Sequence, residues 1–197
     1  MKRIVIFASG NGTNAQRIID HFKGSTDAQV VQVLSNNKDA KVLERANKSQ
    51  ISAISFNRTA LYYTDHIAHL LQVIQPDLIV LAGFLWLFPE KIINLFPDQI
   101  INIHPALLPD FGGKGMYGKH VHEAVYAFAK AHKEQKTYTG ITIHKVTPEY
   151  DKGMYVFQEK VEVTQEDTPE TIAQKVHKLE YEYFPVVIEK LLFDTKL

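Results

Sequence analysis

The chain contains no cysteine in its 197 residues, which excludes disulfides, thiolate metal sites and a cysteine nucleophile. Neither sign of charge is in excess, with 22 Lys and Arg against 22 Asp and Glu. No broad cationic field is available for nucleic acid or anionic lipid, so an anionic ligand has to be held by a local device. No apolar run reaches membrane-spanning length. The start, Met1–Ala8, is basic and then apolar, as a signal peptide is. Its apolar part is only five residues long and ends at Ser9-Gly10-Asn11-Gly12, so a first strand is expected instead. With no secretion signal, the glycosylation-like triplets at Asn11, Asn47 and Asn57 read as chance, and a cytoplasmic protein is expected.

What is present points to a packed α/β domain. Hydrophobic residues make up 45%, enough for a large core, and the length suits a single domain spanning 1–197. Short runs rich in Ile and Val recur at Arg3–Ala8, Ala28–Leu34, Ile51–Phe56, Leu78–Ala82 and Gln99–Ile103, as in parallel strands buried on both faces. Helix-length segments alternate with them: Asn14–Phe22, Asp39–Asn47, Ala60–Ile74 and Pro89–Phe96. The pattern predicts a Rossmann-like, mostly parallel, doubly wound twisted sheet. After Pro105 the rhythm changes. Gly112, Gly113, Gly115 and Gly118 mark a mobile loop, followed by a helix at about His120–Ala131. Tyr138–Val146 and Met154–Val163 predict an antiparallel strand pair about the turn Tyr150-Asp151-Lys152-Gly153. A long C-terminal helix is expected from Thr168-Pro169, with Ile172, Val176, Leu179, Val186 and Val187 on its buried face and Pro185 kinking or dividing it.

Four groups of residues carry chemistry. Asn102-Ile103-His104-Pro105 closes an apolar strand. Residues two apart share a face, so an amide and an imidazole stand together where open α/β sheets bind ligands. That pairing suits acyl transfer, the amide holding an oxyanion and the imidazole carrying a proton. Ser9-Gly10-Asn11-Gly12-Thr13-Asn14 joins the first strand to the first helix and suits a phosphate, with Thr13 and Asn14 as side-chain donors. Only Gly10-x-Gly12 matches the dinucleotide fingerprint and no Walker lysine follows, so a phosphate monoester fits better than a dinucleotide. Asp151 lies in a turn. Spacing alone does not bring it to His104, since 46 residues separate them. Ala82-Gly83-Phe84-Leu85-Trp86-Leu87-Phe88-Pro89, just after a strand, offers an apolar wall for a flat ring system, although two or three of these side chains belong in the core. Nine histidines raise the question of metal, but neither His120-x-His122 nor His66 with His69 has a carboxylate at the metalloprotease spacing, and no metal is expected. His122 remains a possible substrate contact. His144 reads either as a partner behind the site or as a satisfied core group.

Together the motifs Gly10-Asn11-Gly12-Thr13-Asn14, Leu81-Ala82-Gly83-Phe84, Asn102-Ile103-His104-Pro105-Ala106-Leu107-Leu108-Pro109, Gly140–His144 and Asp151-Lys152-Gly153 resemble the phosphoribosylglycinamide formyltransferases, a branch of the folate-dependent formyltransferase family. The resemblance runs in order along nearly the whole chain. It implies transfer of a formyl group from 10-formyltetrahydrofolate, a co-substrate, to the amine of glycinamide ribonucleotide in purine biosynthesis. By resemblance, Asn102 stabilises the oxyanion and His104 supplies a proton or a charge. Asp151 orients His104, keeps it cationic and helps pass protons through water. Gly12, Thr13 and Asn14 hold the phosphate, Glu180 meets the glycinamide end, and Leu85, Trp86, Leu87 and Phe88 with the Asp151 loop line the folate pocket beside Asn102. The N-terminal half is expected to bind phosphate and the C-terminal half folate. Partners are small molecules, without nucleic acid or membrane, and the chain is expected to be a monomer or homodimer. Trp86 departs from members with arginine there, and the Gly112–Gly118 loop is longer than in some. A methionyl-tRNA formyltransferase would carry a further RNA-binding domain, and a formyltetrahydrofolate deformylase a regulatory domain before the first strand; neither is expected. A catalytically silent phosphoribosyl-ligand sensor is opposed by the intact Asn102, His104 and Asp151. A nicotinamide dehydrogenase is opposed by the failed fingerprint.

Overall fold

The computed structural model describes residues 1–193. Seven strands form one sheet: β1 (Lys2–Phe7), β2 (Ala28–Ser35), β3 (Ser52–Ser55), β4 (Leu78–Leu81), β5 (Ile100–His104), β6 (Thr137–Lys145) and β7 (Tyr155–Val163). Their order is β3-β2-β1-β4-β5-β6-β7. β1 to β5 pair in parallel, and β6 runs antiparallel to both β5 and β7. This is the mostly parallel sheet with an antiparallel C-terminal pair that the sequence predicts. The parallel strands are apolar on both sides because both faces are covered. One core, including Ile4, Ile6, Ile18, Val125 and Phe184, lies under α1 (Thr13–His21), α2 (Lys41–Lys48), α5 (Lys119–Ala131) and α6 (Pro169–Phe193). The other, including Phe7, Leu61, Leu71, Phe88 and Ile92, lies under α3 (His66–Ile74) and α4 (Glu90–Leu95).

Between β1 and β4 the winding reverses, and the loops after these neighbouring strands diverge to leave a crevice at their carboxyl ends. β5 brings Asn102 and His104 to the same edge. In its register Asn102 lies opposite His144 and His104 opposite Thr142.

Local structure departs from the predicted elements in three places. The segment Ala60–Ile74 is divided: Thr59–Tyr63 forms a single π-helical turn and only His66–Ile74 is α-helical. Thr64 ends the turn in an extended conformation, its hydroxyl bonding the Thr59 carbonyl, while Tyr62 is tied to the Leu87 carbonyl at 2.8 Å. α6 runs unbroken through Pro185, because Phe184, Pro185, Val187 and Ile188 bury one face together. Each such apolar side chain contributes about 1.5–3 kcal/mol, which outweighs the roughly 3 kcal/mol cost of an interior proline. Val186 is 40% exposed rather than part of that buried face. The predicted cap is present, with the Thr171 amide donating to the Thr168 hydroxyl at 3.3 Å and the Thr168 amide to the Thr171 hydroxyl at 2.9 Å.

Candidate active site

One cleft of about 610 Å³ gathers the predicted groups. Gly12, Thr13 and Asn14 line one end, Leu85 to Phe88 the other, and Asn102, His104, Asp151 and Glu180 lie among them. His122, His144 and His177 line it as well. Both the glycine loop and Leu85–Phe88 come from the N-terminal half, while Glu180 of α6 bonds Asn14 at the loop end.

At that end Gly12 occupies the N-cap position of α1 and makes no side-chain cap, so the helix's first amides stay available for an anion. Gly12 has φ of +72°, and a Cβ there would come within 2.4 Å of Val42, so only glycine fits this close packing of loop on α2. Arg45 braces the loop by donating to the Asn11 carbonyl at 2.7 Å. The Asn14 amide donates to Glu180 at 3.0 Å and His177 Nδ1 meets the same carboxylate at 2.8 Å. This pairing with Glu180 raises the His177 pKa. His177 was invisible to sequence reasoning because it is an exposed histidine among the polar residues of an amphipathic helix.

At the opposite end Phe88 is 2% exposed and packs edge-on against Phe7 at 5.1 Å, so it is chiefly core. Leu85 is 45% exposed, and Trp86 is half-buried with the Arg58 guanidinium 4.8 Å above its ring. Ser9 joins the two ends: its amide donates to the Gly83 carbonyl at 3.0 Å, and its hydroxyl accepts the Leu85 amide at 2.9 Å.

The centre is built around Asp151. Its carboxylate accepts the Gly113 amide at 2.8 Å and stands 3.5 Å from both His104 Nδ1 and His144 Nε2, on different oxygens. Burial pushes the Asp151 carboxyl up, but His144, His104 and the Gly113 amide outweigh it, so its pKa is lowered. His104 is 3% exposed, and its Nε2 donates to the Phe111 carbonyl at 2.8 Å. Phe111 and Asp151 both have φ of +55°, left-handed conformations that cost roughly 1–3 kcal/mol and mark a constrained site. Burial lowers the His104 pKa by more than Asp151 and the Phe111 carbonyl raise it. The lowered pKa favours the neutral imidazole, whose Nδ1 is turned to the Asp151 carboxylate.

An open α/β sheet with an amide, an imidazole and a carboxylate between an anion-binding helix start and an apolar wall defines an enzyme site of the acyl-transfer class. Comparison with known proteins narrows it: the formyl transferase family model matches residues 2–188, and the chain belongs to that family. It is 34% identical to the phosphoribosylglycinamide formyltransferase of Bacillus subtilis (strain 168), covering 98% of this chain and 95% of that one. It is 37% identical to the chloroplastic phosphoribosylglycinamide formyltransferase of Arabidopsis thaliana, covering 96% of this chain but 66% of the plant protein. The crystal structure of phosphoribosylglycinamide formyltransferase from Anaplasma phagocytophilum superimposes with a TM-score of 0.84 at 32% identity, covering 100% of this chain and 90% of that one.

Proposed function

We propose that this protein transfers the formyl group of 10-formyltetrahydrofolate to the primary amine of glycinamide ribonucleotide, in purine biosynthesis and in the cytoplasm. The observation that carries the reading is the Asn102, His104 and Asp151 centre lying between a phosphate-type helix start and an apolar wall in one cleft. The acceptor's phosphate takes the amides of Gly12, Thr13 and Asn14, which places its amine toward β5, beside Glu180. The donor's ring system lies along Leu85–Phe88, with its formyl carbonyl toward Asn102.

The amine attacks the formyl carbon, and the carbonyl oxygen gains a negative charge that an Asn102 N–H stabilises, an effect worth about 10²–10³-fold in rate. The amine loses a proton through water to the Asp151–His104 pair. His104 Nδ1 is the receiving nitrogen, since Nε2 is committed to the Phe111 carbonyl. The C–N bond to the folate then breaks as N10 takes a proton from the same pair. One proton leaves the amine, one reaches N10, and the formyl group has moved.

The test follows absorbance as tetrahydrofolate forms, with and without glycinamide ribonucleotide. Release that depends on the acceptor is the expected result. Release without acceptor identifies a deformylase instead, and no release under either condition leaves a ligand-binding protein.

A further inference from the structure

We propose that His144 is the positioning residue for Asn102: a bare ring nitrogen of His144 accepts one Asn102 N–H and thereby aims the other N–H into the cleft. This deepens the formyl-transfer reading and rests on it for what Asn102 does.

His144 is 3% exposed and bonded at both nitrogens. Nδ1 lies 2.8 Å from the Lys145 carbonyl, and a carbonyl only accepts, so Nδ1 carries a proton. In the neutral ring Nε2 then has a lone pair, and the Asn102 amide nitrogen lies 3.1 Å from it. The tautomer and the amide orientation thus fix each other. An Asn102 turned over would present oxygen to a bare nitrogen, two acceptors facing. Asp151 Oδ1, 3.5 Å from Nε2, is the competing partner: a second proton on the ring would donate to it and lower the Asp151 pKa, whereas in the neutral ring Asn102 at 3.1 Å is the donor that Nε2 accepts. Of the two Asn102 N–H bonds, one is held by His144, and the side chain is only partly buried on the cleft wall. The second is the donor an oxyanion would meet.

The backbone around His144 is shaped for this. The β6–β7 register shifts between Ile143 and His144, a bulge of the kind that re-aims a side chain. Gly153 packs against the anchoring carbonyl so closely that a Cβ would fall 1.6 Å from the Lys145 oxygen and 3.4 Å from His144 Nδ1. Both features keep the Lys145 carbonyl in reach of the ring.

Two experiments decide it. Nitrogen-15 NMR of the full-length protein near neutral pH, with the resonance assigned by its loss in His144→Gln, is expected to show Nδ1 protonated and Nε2 bare. A proton on Nε2 overturns the proposal, and this result does not depend on any substrate. In the formyl-transfer assay, His144→Leu is expected to lower kcat about 10–100-fold with both KM values within about two-fold, the signature of a lost oxyanion donor. His144→Gln, whose amide oxygen can replace Nε2 as acceptor, is expected to recover most of that loss. In an Asn102→Ala background His144→Leu should cost little more, because the donor it aims is already gone. The same loss in both backgrounds overturns the proposal. Should His144→Leu fail to fold, the tautomer measurement and the Gln variant still decide. Absence of any formyl transfer would remove the functional reading and leave the tautomer result standing.

Discussion

Asp151 serves two imidazoles with one carboxylate, 3.5 Å from each, while a backbone amide holds it in place. The chemistry assigned to it needs charge rather than shape. Asp151→Asn keeps the size and can still accept the Gly113 amide, yet it removes the charge that would hold a proton on His104. We expect kcat to fall by about 10²-fold or more, with the dissociation constant for glycinamide ribonucleotide nearly unchanged. Steady-state kinetics beside direct titration of the acceptor checks this, and near-normal turnover would remove Asp151 from the mechanism. At this scale the sequence was partly legible. The i, i+2 spacing of Asn102 and His104 at a strand end pointed to the site. The charge of His104 was not legible, because it depends on how far burial outweighs Asp151, and burial is a property of the assembled fold.

Among elements, α6 depends on an anchor just before its first turn. Asp167 is 7% exposed and accepts from the Thr164 amide at 2.7 Å, the Thr171 hydroxyl at 2.8 Å and Lys175 at 2.6 Å. Burial raises its pKa, but these donors outweigh that and bring it to about 2. Asp167→Asn should therefore lose about 1–2 kcal/mol at neutral pH, a discounted figure because Lys175 is partly solvated. Urea unfolding measures it, and an unchanged midpoint would contradict the anchoring role. The loop before α3 supports a different expectation. The Arg58 guanidinium lies 4.8 Å from the ring of Trp86, a residue that lines the cleft. Arg58→Ala should raise the KM for 10-formyltetrahydrofolate several-fold and leave kcat within about two-fold; a kcat loss with unchanged KM would argue against it. Arg58 escaped sequence reasoning because nothing local ties it to Trp86. The division of Ala60–Ile74 escaped it because the bond from Tyr62 to Leu87 links residues far apart in the chain. The strands and most helices were legible, since their hydrophobic period is local.

Across the whole molecule, the cleft exists because the sheet reverses its winding between β1 and β4 and because β6 and β7 return Asp151 to the end of β5. No spacing rule contains that second step, which is why the meeting of His104 with Asp151 rested on resemblance. The same assembly gives the protein a stability profile with pH that can be worked out by sign. Burial lowers the pKa values of His104 and His122 from 6.5. The unfolded chain then binds protons that the folded chain does not, so stability present above about 6.5 falls as pH drops below it. His177 has the opposite sign. Its pKa is raised, so it adds stability as pH falls toward 6.5 and adds no more below that. Asp151 and Asp167 are lowered from 3.8, so their stabilisation persists until about that pH and is lost beneath it, for Asp167 down to about 2. Unfolding free energy against pH should therefore descend in two steps, one beginning near pH 6.5 and one below pH 4. His122 is the cleanest handle on the upper step, since its Nδ1 is buried without a hydrogen-bond partner among the described residues. His122→Leu should shrink the upper step and leave the lower one in place. Urea titrations at closely spaced pH values test this, and a curve that stays flat until pH 4 would show that the buried histidines are not held neutral by the fold.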